Sequence, residues 1–446
     1  MKRWHTSMLL LLALAAAPDA SSAQAFAGRE KLRAHSNEFR REVIRVAEGV
    51  YVAVGYSASN VILIQGRDGT IIVDTATDPV AAAAIRTAFG PLLAAPVRAI
   101  IYTHSHPDHI GGARVFAGTD NPETYGHRQL LESGSGEIGR AGRDGADQFG
   151  TALPESLYIN AGVQMEVGRV TPLTRDGYLP PTRTVGAEPL ALTVAGVRLQ
   201  LLYTPGETAD TIAVWLPDQR VLMPGDNVLR AFPNVAPIRG GRLRAPEAWI
   251  ASLNTLIALD AEHVIPGHTR PVLGAAAVRA ALTAYRDALQ SITEQTMTGM
   301  KRGERPDELV ARVKLPRGLA EHPYLQEFYG TVEWMVRGIY ADRLGWFDGN
   351  ATNLFPLPQQ ERAAKLLAAM GGPDAVLARA GDALAAGDFT WAAELTDYVL
   401  LEDAAHAGAR RMKARALTEL GERQISAIAR NYYLTSAMYL LRDLQP

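Results

Sequence analysis

The sequence predicts an α/β layered protein that ends in an all-helical part. Three observations lead there. Two stretches, about residues 50–102 and 190–268, interleave short apolar, β-branched runs with helical runs. Strand signals stop near residue 276. Beyond about residue 320 the chain reads as helix or linker, and over 374–442 the small and apolar residues recur three to four apart, the spacing of one helix face. At 446 residues the chain is longer than one core usually fills, so two domains with smaller pieces are expected.

Lys2 and Arg3 precede a ten-residue apolar run, Met8 to Ala17. Small residues follow, with Ser21-Ser22-Ala23 or Ala23-Gln24-Ala25 as the cleavage site. That is the order of a secretory signal. Ten apolar residues make about half a bilayer span, so residues 1–25 are expected to be a cleaved signal rather than an anchor. The mature protein is then expected to be periplasmic or secreted. No other segment is apolar enough to predict stable membrane insertion.

Residues 26–42 are polar and charged, a lead-in arm. Strands are expected at 50–54, 60–64 and 71–74, with a turn at Arg67-Asp68-Gly69-Thr70. A helix over Pro79 to Phe89 and a strand over Val97 to Tyr102 follow. Residues 130–185 are loop-rich, a lid or substrate wall. Strands return at 190–194, 197–203, 212–215 and 221–223, then a helix near 246–258. Ala276 to Thr298 is expected to be a helix. Residues 374–442 read as helical hairpins of tetratricopeptide-like character, broken by a turn at Gly387-Asp388.

The net charge is −2, from 45 basic and 47 acidic residues, which gives no electrostatic footprint for nucleic acid or an anionic membrane. Cysteine is absent. That removes disulfides, thiol nucleophiles and thiolate zinc sites, so any metal must be held by His, Asp or Glu.

The strand at 97–102 runs into Thr103-His104-Ser105-His106-Pro107-Asp108-His109-Ile110-Gly111-Gly112. Three of the ten histidines fall within six residues. His104 and His106, two apart on an extended loop, can point to one side, while Asp108 and His109 turn into a helix and can face a second ion. One ion does not need all four groups. A dinuclear site does, with its metals about 3.5–4 Å apart. The loop also leaves the C-terminal end of a strand, where open α/β layers usually bind ligands.

This motif resembles the signature of the metallo-β-lactamase superfamily, and other pieces of that pattern follow in order. Asp74 ends a strand where the superfamily has an aspartate that braces the ligand loop. Thr204-Pro205-Gly206-Glu207-Thr208 stands where most members have Pro-Gly-His, so the third ligand here is Glu207. Pro224-Gly225-Asp226-Asn227 supplies the bridging carboxylate, Asp226, and Pro266-Gly267-His268 the last histidine. The resemblance covers about residues 43–275. It implies an αββα sandwich with two zinc ions per chain. His104, His106 and Glu207 would hold one ion, Asp108, His109 and His268 the other, with Asp226 touching both. Asp108 and Asp226 are also the implied catalytic carboxylates.

Glutamate in the third place narrows the resemblance to the alkyl sulfatase branch, where the third and bridging ligands are both carboxylates. Glu207 and Asp226 are nineteen apart, as in that branch, though the branch usually has Glu where this chain has Asp226. Asn234 and Arg239 follow Asp226 by eight and thirteen residues, where the branch places its sulfate-binding Asn and Arg. Arginine suits the task because its planar fork holds two sulfate oxygens at once.

The C-terminal part is similar to the alkyl sulfatase dimerisation domain. The strings that carry this are Glu327 to Trp334, Leu344 to Asn350, Gly387 to Leu395 and Arg430 to Leu434. Two departures stand out. The branch has Tyr-x-Tyr-Gly where this chain has Asp147-Gln148-Phe149-Gly150, and typical members continue into a sterol-carrier-like domain.

The expected organisation is a signal over 1–25, a catalytic domain over 26–275, a helical linker over 276–319 and a dimerisation domain over 320–446. The resemblance implies a zinc-dependent sulfuric ester hydrolase that cleaves alkyl sulfate esters to alcohol and sulfate. A small-molecule sulfate ester is its implied substrate and a homodimer its implied assembly. A broader hydrolase of the same fold, acting on a β-lactam, lactone, thioester or phosphodiester, is the alternative. His127 and His263 are expected to be structural, and His5, His35, His322 and His406 show no partner pattern.

Overall fold

Helix α1 (Ala27–His35) opens the described part of the chain. The computed structural model describes residues 26–132, 143–165, 176–442 and 444. The expected signal at 1–25 lies outside the described residues.

Strands β1 (Glu42–Ala47), β2 (Val50–Val54), β3 (Val61–Gln65) and β4 (Thr70–Val73) pair antiparallel in sequence order. Helix α2 (Pro79–Phe89) crosses over to β5 (Val97–Ile101). The crossover helix starts where it does because Asp78 accepts from the backbone N–H of Val80 and Ala81, and Pro79 needs no donor partner. Then come α3 (Pro107–Ile110), α4 (Ala113–Ala117), β6 (Glu123–His127), α5 (Arg128–Glu132), α6 (Arg143–Phe149) and β7 (Arg183–Val185). β4 to β7 run parallel and complete a seven-stranded sheet.

The second sheet is built from β8 (Leu190–Val194), β9 (Val197–Tyr203), β10 (Ile212–Leu216), β11 (Val221–Met223), β12 (His263–Val264) and β13 (Val272–Leu273), with α7 (Pro246–Ala258) ahead of β12. Its order is β13-β12-β11-β10-β9-β8, antiparallel except for β11 against β12.

Alternation along the strands explains the layering. Val50, Val52, Ile62, Ile64, Ile71 and Val73 of the first sheet meet Ile212, Val214, Leu216 and Met223 of the second in one core. The intervening Ala53, Leu63 and Ile72 pack outward on Ile85, Phe89 and Phe116. On the other side Ala213, Trp215 and Leu222 pack outward on Trp249 and Leu253. The central strands of both sheets are thus buried on both faces, and the result is the αββα sandwich that the resemblance implies.

The remaining chain is helical: α8 (Ala275–Lys301), α9 (Pro306–Arg312), α10 (Arg317–Ala320), α11 (Val332–Leu344), α12 (Gln359–Ala369), α13 (Pro373–Ala386), α14 (Phe389–Glu402), α15 (Ala407–Glu422) and α16 (Ala427–Arg442). Helices α13 to α16 pack as successive hairpins. Gly387, left-handed at φ 79°, ends α13, and the Asp388 side chain caps α14. No helix among the described residues is long and apolar enough to cross a membrane.

Two segments differ from expectation. Residues 26–42, expected as an arm, contain α1, whose Leu32 is buried with Leu229, Phe328 and Ile428. Its apolar partners lie hundreds of residues away, so local periodicity could not show them. The segment over 276–319, expected as a linker, is part of the sandwich. Val278, Leu282, Tyr285, Leu289 and Ile292 of α8 share one core with Trp249, Leu253 and Leu256 of α7. The end of the strand signals at 276 marks where the sandwich takes on its outer helical layer, not where it ends.

Candidate metal centre

The cluster forms where strand ends of both sheets meet. Asp74 follows β4, and the 103–106 loop follows β5. Helix α3 carries Asp108 and His109. Glu207 lies on the β9–β10 connection, Asp226 in a 3-10 turn after β11, and His268 beyond β12.

The side chains fall into two groups. Ligand-type atoms of His104, His106, Glu207 and Asp226 lie within 4.8 Å of one another, and so do those of Asp108, His109 and His268. Glu207 Oε2 is 3.3 Å from His106 Nδ1 and 3.7 Å from His104 Nε2. Asp226 stands between the groups. Its Oδ2 is 3.7 Å from His104 Nε2 and 2.9 Å from His268 Nε2, and its Oδ1 is 3.5 Å from His109 Nε2. Asp108 Oδ2 is 3.6 Å from both His109 Nε2 and His268 Nε2. All seven metal-type positions singled out by motif come together.

The imidazoles are aimed by groups behind them. His109 Nδ1 donates to Asp74 Oδ2 at 2.7 Å. Asp74, at φ 57°, also accepts from the backbone N–H and the hydroxyl of Thr103, each at 2.8 Å. His268 Nδ1 donates to the Ala58 carbonyl at 2.7 Å. In each case the Nδ1 partner leaves Nε2 to face the cluster, the arrangement that fixes a metal-binding tautomer. Ser59 donates to the Asp108 carbonyl, and Asn60 Nδ2 donates to the carbonyls of Pro266 and Thr269, which ties both histidine loops to the β2–β3 turn. At Gly267 a Cβ would sit 2.1 Å from Asp226 Oδ1, so only glycine lets this loop approach.

A cation suits these groups. His106 Nε2, His109 Nε2, Glu207 Oε2 and Asp226 Oδ1 are buried without a hydrogen-bond partner among the described residues. Burial pushes the Glu207 carboxyl up to about 7, with Arg244 pulling it down and Asp226 pushing it further up. Burial also disfavours charge on His109, yet Asp226, Asp74 and Asp108 outweigh it and hold His109 well above its usual range. Burial, followed by Arg244 and Arg239, lowers His106 to about 4. Buried carboxylates facing imidazole nitrogens, with no thiolate, form a donor set for zinc-like divalent ions, and a bound cation would take the place of the proton that the carboxylates hold on His109.

Beside the cluster lies a polar rim. Asn234 is buried, and neither its amide nitrogen nor its amide oxygen has a hydrogen-bond partner among the described residues. Arg239 acts electrostatically on His106 and Glu207. The sequence motifs alone do not single out Arg244, which is buried here. Its Nη2 lies 2.5 Å from Glu207 Oε1, and its Nη1 donates to the Asn234 carbonyl at 2.9 Å. In sequence it is one of three arginines within six residues, and only burial separates it from Arg239 and Arg242. Asn227 is a second addition. Its Oδ1 accepts from Glu207 N–H at 2.9 Å, its Nδ2 donates to the Thr204 carbonyl at 2.7 Å, and Trp249 donates to its carbonyl.

The other histidines among the described residues hold structure, and His5 lies outside them. His127 stacks on Tyr203 with centroids 4.4 Å apart, and His263 Nδ1 accepts from Gly274 N–H. His35 stacks on Phe328, while His322 and His406 accept from backbone N–H groups at helix starts.

Residues 54–268 match the metallo-beta-lactamase superfamily model, and residues 305–443 match the alkyl sulfatase dimerisation model. The chain is 39% identical over 400 residues to a linear primary-alkylsulfatase of a Pseudomonas strain, covering 86% of this chain and 74% of that one. It is 31% identical over 416 residues to an (R)-specific secondary-alkylsulfatase of Pseudomonas sp., covering 89% and 62%. Among solved structures it resembles a stereoselective inverting sec-alkylsulfatase of Pseudomonas sp., with a TM-score of 0.80 and 29% identity over 91% of this chain and 66% of that one.

Proposed function

The chain belongs to the alkylsulfatases of the metallo-β-lactamase superfamily, and from that premise we propose that it hydrolyses alkyl sulfate esters to alcohol and sulfate with two zinc ions. The observation that carries the reading is the buried acid and imidazole cluster set against the rim of Asn234, Arg239 and Arg244.

His104, His106 and Glu207 would hold one ion, and Asp108, His109 and His268 the other, with Asp226 reaching both. When bound, zinc supplies Lewis acidity and a source of hydroxide near neutral pH. The chain's own groups do the rest. Asn234 presents its free amide N–H donors to the oxygens of an anionic headgroup. Arg239 and Arg244 place positive charge where negative charge gathers on the departing oxygen. Asp74 keeps the His109 Nδ1 proton in place, and the Ala58 carbonyl keeps that of His268. Asp108 and Asp226 are the carboxylates that touch the reacting centre.

Homodimer assembly through the helical part is supported by the dimerisation-model match over 305–443. Export to the periplasm or beyond is supported by the order of charged, apolar and small residues in 1–25.

A sulfate-release screen over alkyl sulfates of graded chain length tests the activity. Release of sulfate with at least one ester is the expected result. No release with any ester, together with turnover of nitrocefin or a lactone, would move the assignment to the broader hydrolase.

A further inference from the structure

Residues 150–163 form neither helix nor strand. Backbone hydrogen bonds of this stretch run within it: Leu153 N–H donates to the Gly150 carbonyl, Tyr158 N–H to that of Pro154 and Ala161 N–H to that of Val163. What ties it to the rest of the protein is side chains from elsewhere. Arg430 Nη1 donates to the Leu157 carbonyl at 2.7 Å, and Asn431 Nδ2 donates to the Asn160 carbonyl at 3.0 Å. Both residues belong to α16, which also packs along α6 and holds Asp147 there through the Tyr439 hydroxyl at 2.9 Å. Asn160 Nδ2 in turn donates to the Leu32 carbonyl and to Ser36 Oγ. Other polar groups nearby add no such tie. Gln148, Thr151 and Thr435 are buried, and their side-chain polar atoms have no hydrogen-bond partner among the described residues.

The same helix grips a second segment beside the site. Ala427 N–H donates to the Phe328 carbonyl at 2.9 Å, and Ser426, just ahead of α16, donates to the Tyr329 carbonyl at 3.3 Å. Gly330 follows, so close to the rim that a Cβ on it would lie 2.6 Å from Asn234 Cα. The Tyr329 ring lies against Gly162, where a Cβ would sit 2.7 Å from Tyr329 Cδ2. Phe149 and Ile159, both half-buried, share one apolar cluster with Tyr329 and with Ile238, the neighbour of Arg239. One helix therefore sets the spacing between an apolar wall and the polar rim.

We propose that Asn431 is a positioning residue for the sulfatase reaction. By holding the Asn160 carbonyl, it keeps the 149–163 wall where the apolar part of an alkyl sulfate is received once its headgroup meets Asn234 and Arg239. This rests on the sulfate ester reading above. Asn431 is fully buried, and a Cβ on Gly150 would lie 2.8 Å from its Cγ, so the joint is close-fitting. Its Oδ1 has no partner among the described residues, which makes the bond to Asn160 the polar work of this side chain. A wall displaced by even about 1 Å loses contacts that a seated substrate needs.

The test is steady-state kinetics on the full, zinc-loaded protein, with decyl sulfate kept below its micelle concentration. Asn431→Ala should raise KM at least about tenfold, the loss of on the order of 60 Å² of apolar contact. Its kcat should stay within about threefold of wild type, and its zinc content should not change. A merely structural role would instead reduce the share of active protein, so apparent kcat would fall with KM unmoved. Thr435→Val, one turn along α16 and equally buried, removes no hydrogen bond and should leave both constants as in the wild type. If Asn431→Ala does not fold, hydrogen exchange on the wild type decides. Decyl sulfonate, whose C–S bond resists hydrolysis, should slow exchange in residues 150–163 and 426–435 together.

An unchanged KM in Asn431→Ala, an equal rise in Thr435→Val, or protection by decyl sulfonate that misses residues 150–163 would each overturn the proposal. A wild type that releases no sulfate from any ester overturns the sulfatase reading and this assignment with it. Release by the wild type, with KM unmoved in the variant, overturns the assignment alone.

Discussion

Arg244 Nη2 lies 2.5 Å from Glu207 Oε1, and both side chains are buried. Removing one member of such a pair strands the other charge, at a cost of about 3–5 kcal/mol. Arg244→Met is therefore expected to lower unfolding stability by an amount of that order and to impair retention of the metal by Glu207. Arg244→Lys should fall between variant and wild type, because an ammonium restores charge but not the fork that also holds the Asn234 carbonyl. Urea unfolding and metal analysis of the three proteins check the order. Equal stability of Arg244→Met and wild type would show that the pair contributes nothing.

Asp74 grips His109 Nδ1 and both polar groups of Thr103. Asp74→Asn keeps the shape but loses the charge and part of the acceptor capacity. Metal affinity should drop by about 10–100-fold, the usual effect of removing such a bracing group. Competition against a chromophoric chelator measures it. Activity at saturating metal should recover more than affinity does.

Asn234 holds two buried amide atoms with no hydrogen-bond partner among the described residues. Asn234→Ala is thus expected to leave thermal stability nearly unchanged, since no internal hydrogen bond is lost. The kcat/KM for an alkyl sulfate should fall by about 10–100-fold, the worth of one or two hydrogen bonds to a charged group. A large loss of stability with kcat/KM intact would contradict the role given to this amide.

Metal analysis should find about two zinc ions per chain, and chelation should abolish sulfate release until zinc is returned. Fewer than about 1.5 zinc per chain, with no hydrolysis, would remove the dinuclear reading.

His35 is buried against Phe328, with Nε2 donating to the Arg230 carbonyl at 2.9 Å. Burial, with the Arg230 charge acting in the same direction, lowers its pKa from 6.5 to about 4. The unfolded chain then binds the proton more readily than the folded one. The contribution is complete above pH 6.5 and is lost as pH falls toward 4, to a total of about 3 kcal/mol. Comparing urea midpoints of wild type and His35→Phe at pH 7 and pH 4.5 isolates it. The wild type should lose more stability than the variant over that interval.

Much of the metal centre was legible in sequence because its chemistry is local. His104, His106, Asp108 and His109 sit on one loop and helix start, while Glu207, Asp226 and His268, each beside a Pro-Gly pair, were singled out by the family resemblance. The strands of the sandwich were legible because their buried faces alternate with period two. What was not legible depends on distance along the chain. Arg244 looks like any arginine of a Gly-rich loop until the fold buries it beside Glu207. Asn227 sits next to a motif carboxylate, and nothing local shows that it pins the Glu207 loop. Helix α8 looked like a linker because its apolar stripe has no strand beside it in sequence. Helix α1 looked like an arm because Leu32 finds Ile428 only in the folded chain.

That last contact has a bearing on how the protein is made. Arg29 pairs with Glu422 at 2.6 Å across 393 intervening steps of chain, and Leu32 rests on residues of α16. On a ribosome, α1 is among the first of these segments to emerge and its seat is among the last. It must wait, unsatisfied, while almost four hundred further residues are added, which makes its docking a late latch on folding. A circular permutant that joins these two regions by a short linker would present helix and seat together, and should reach the latched state sooner after dilution from denaturant.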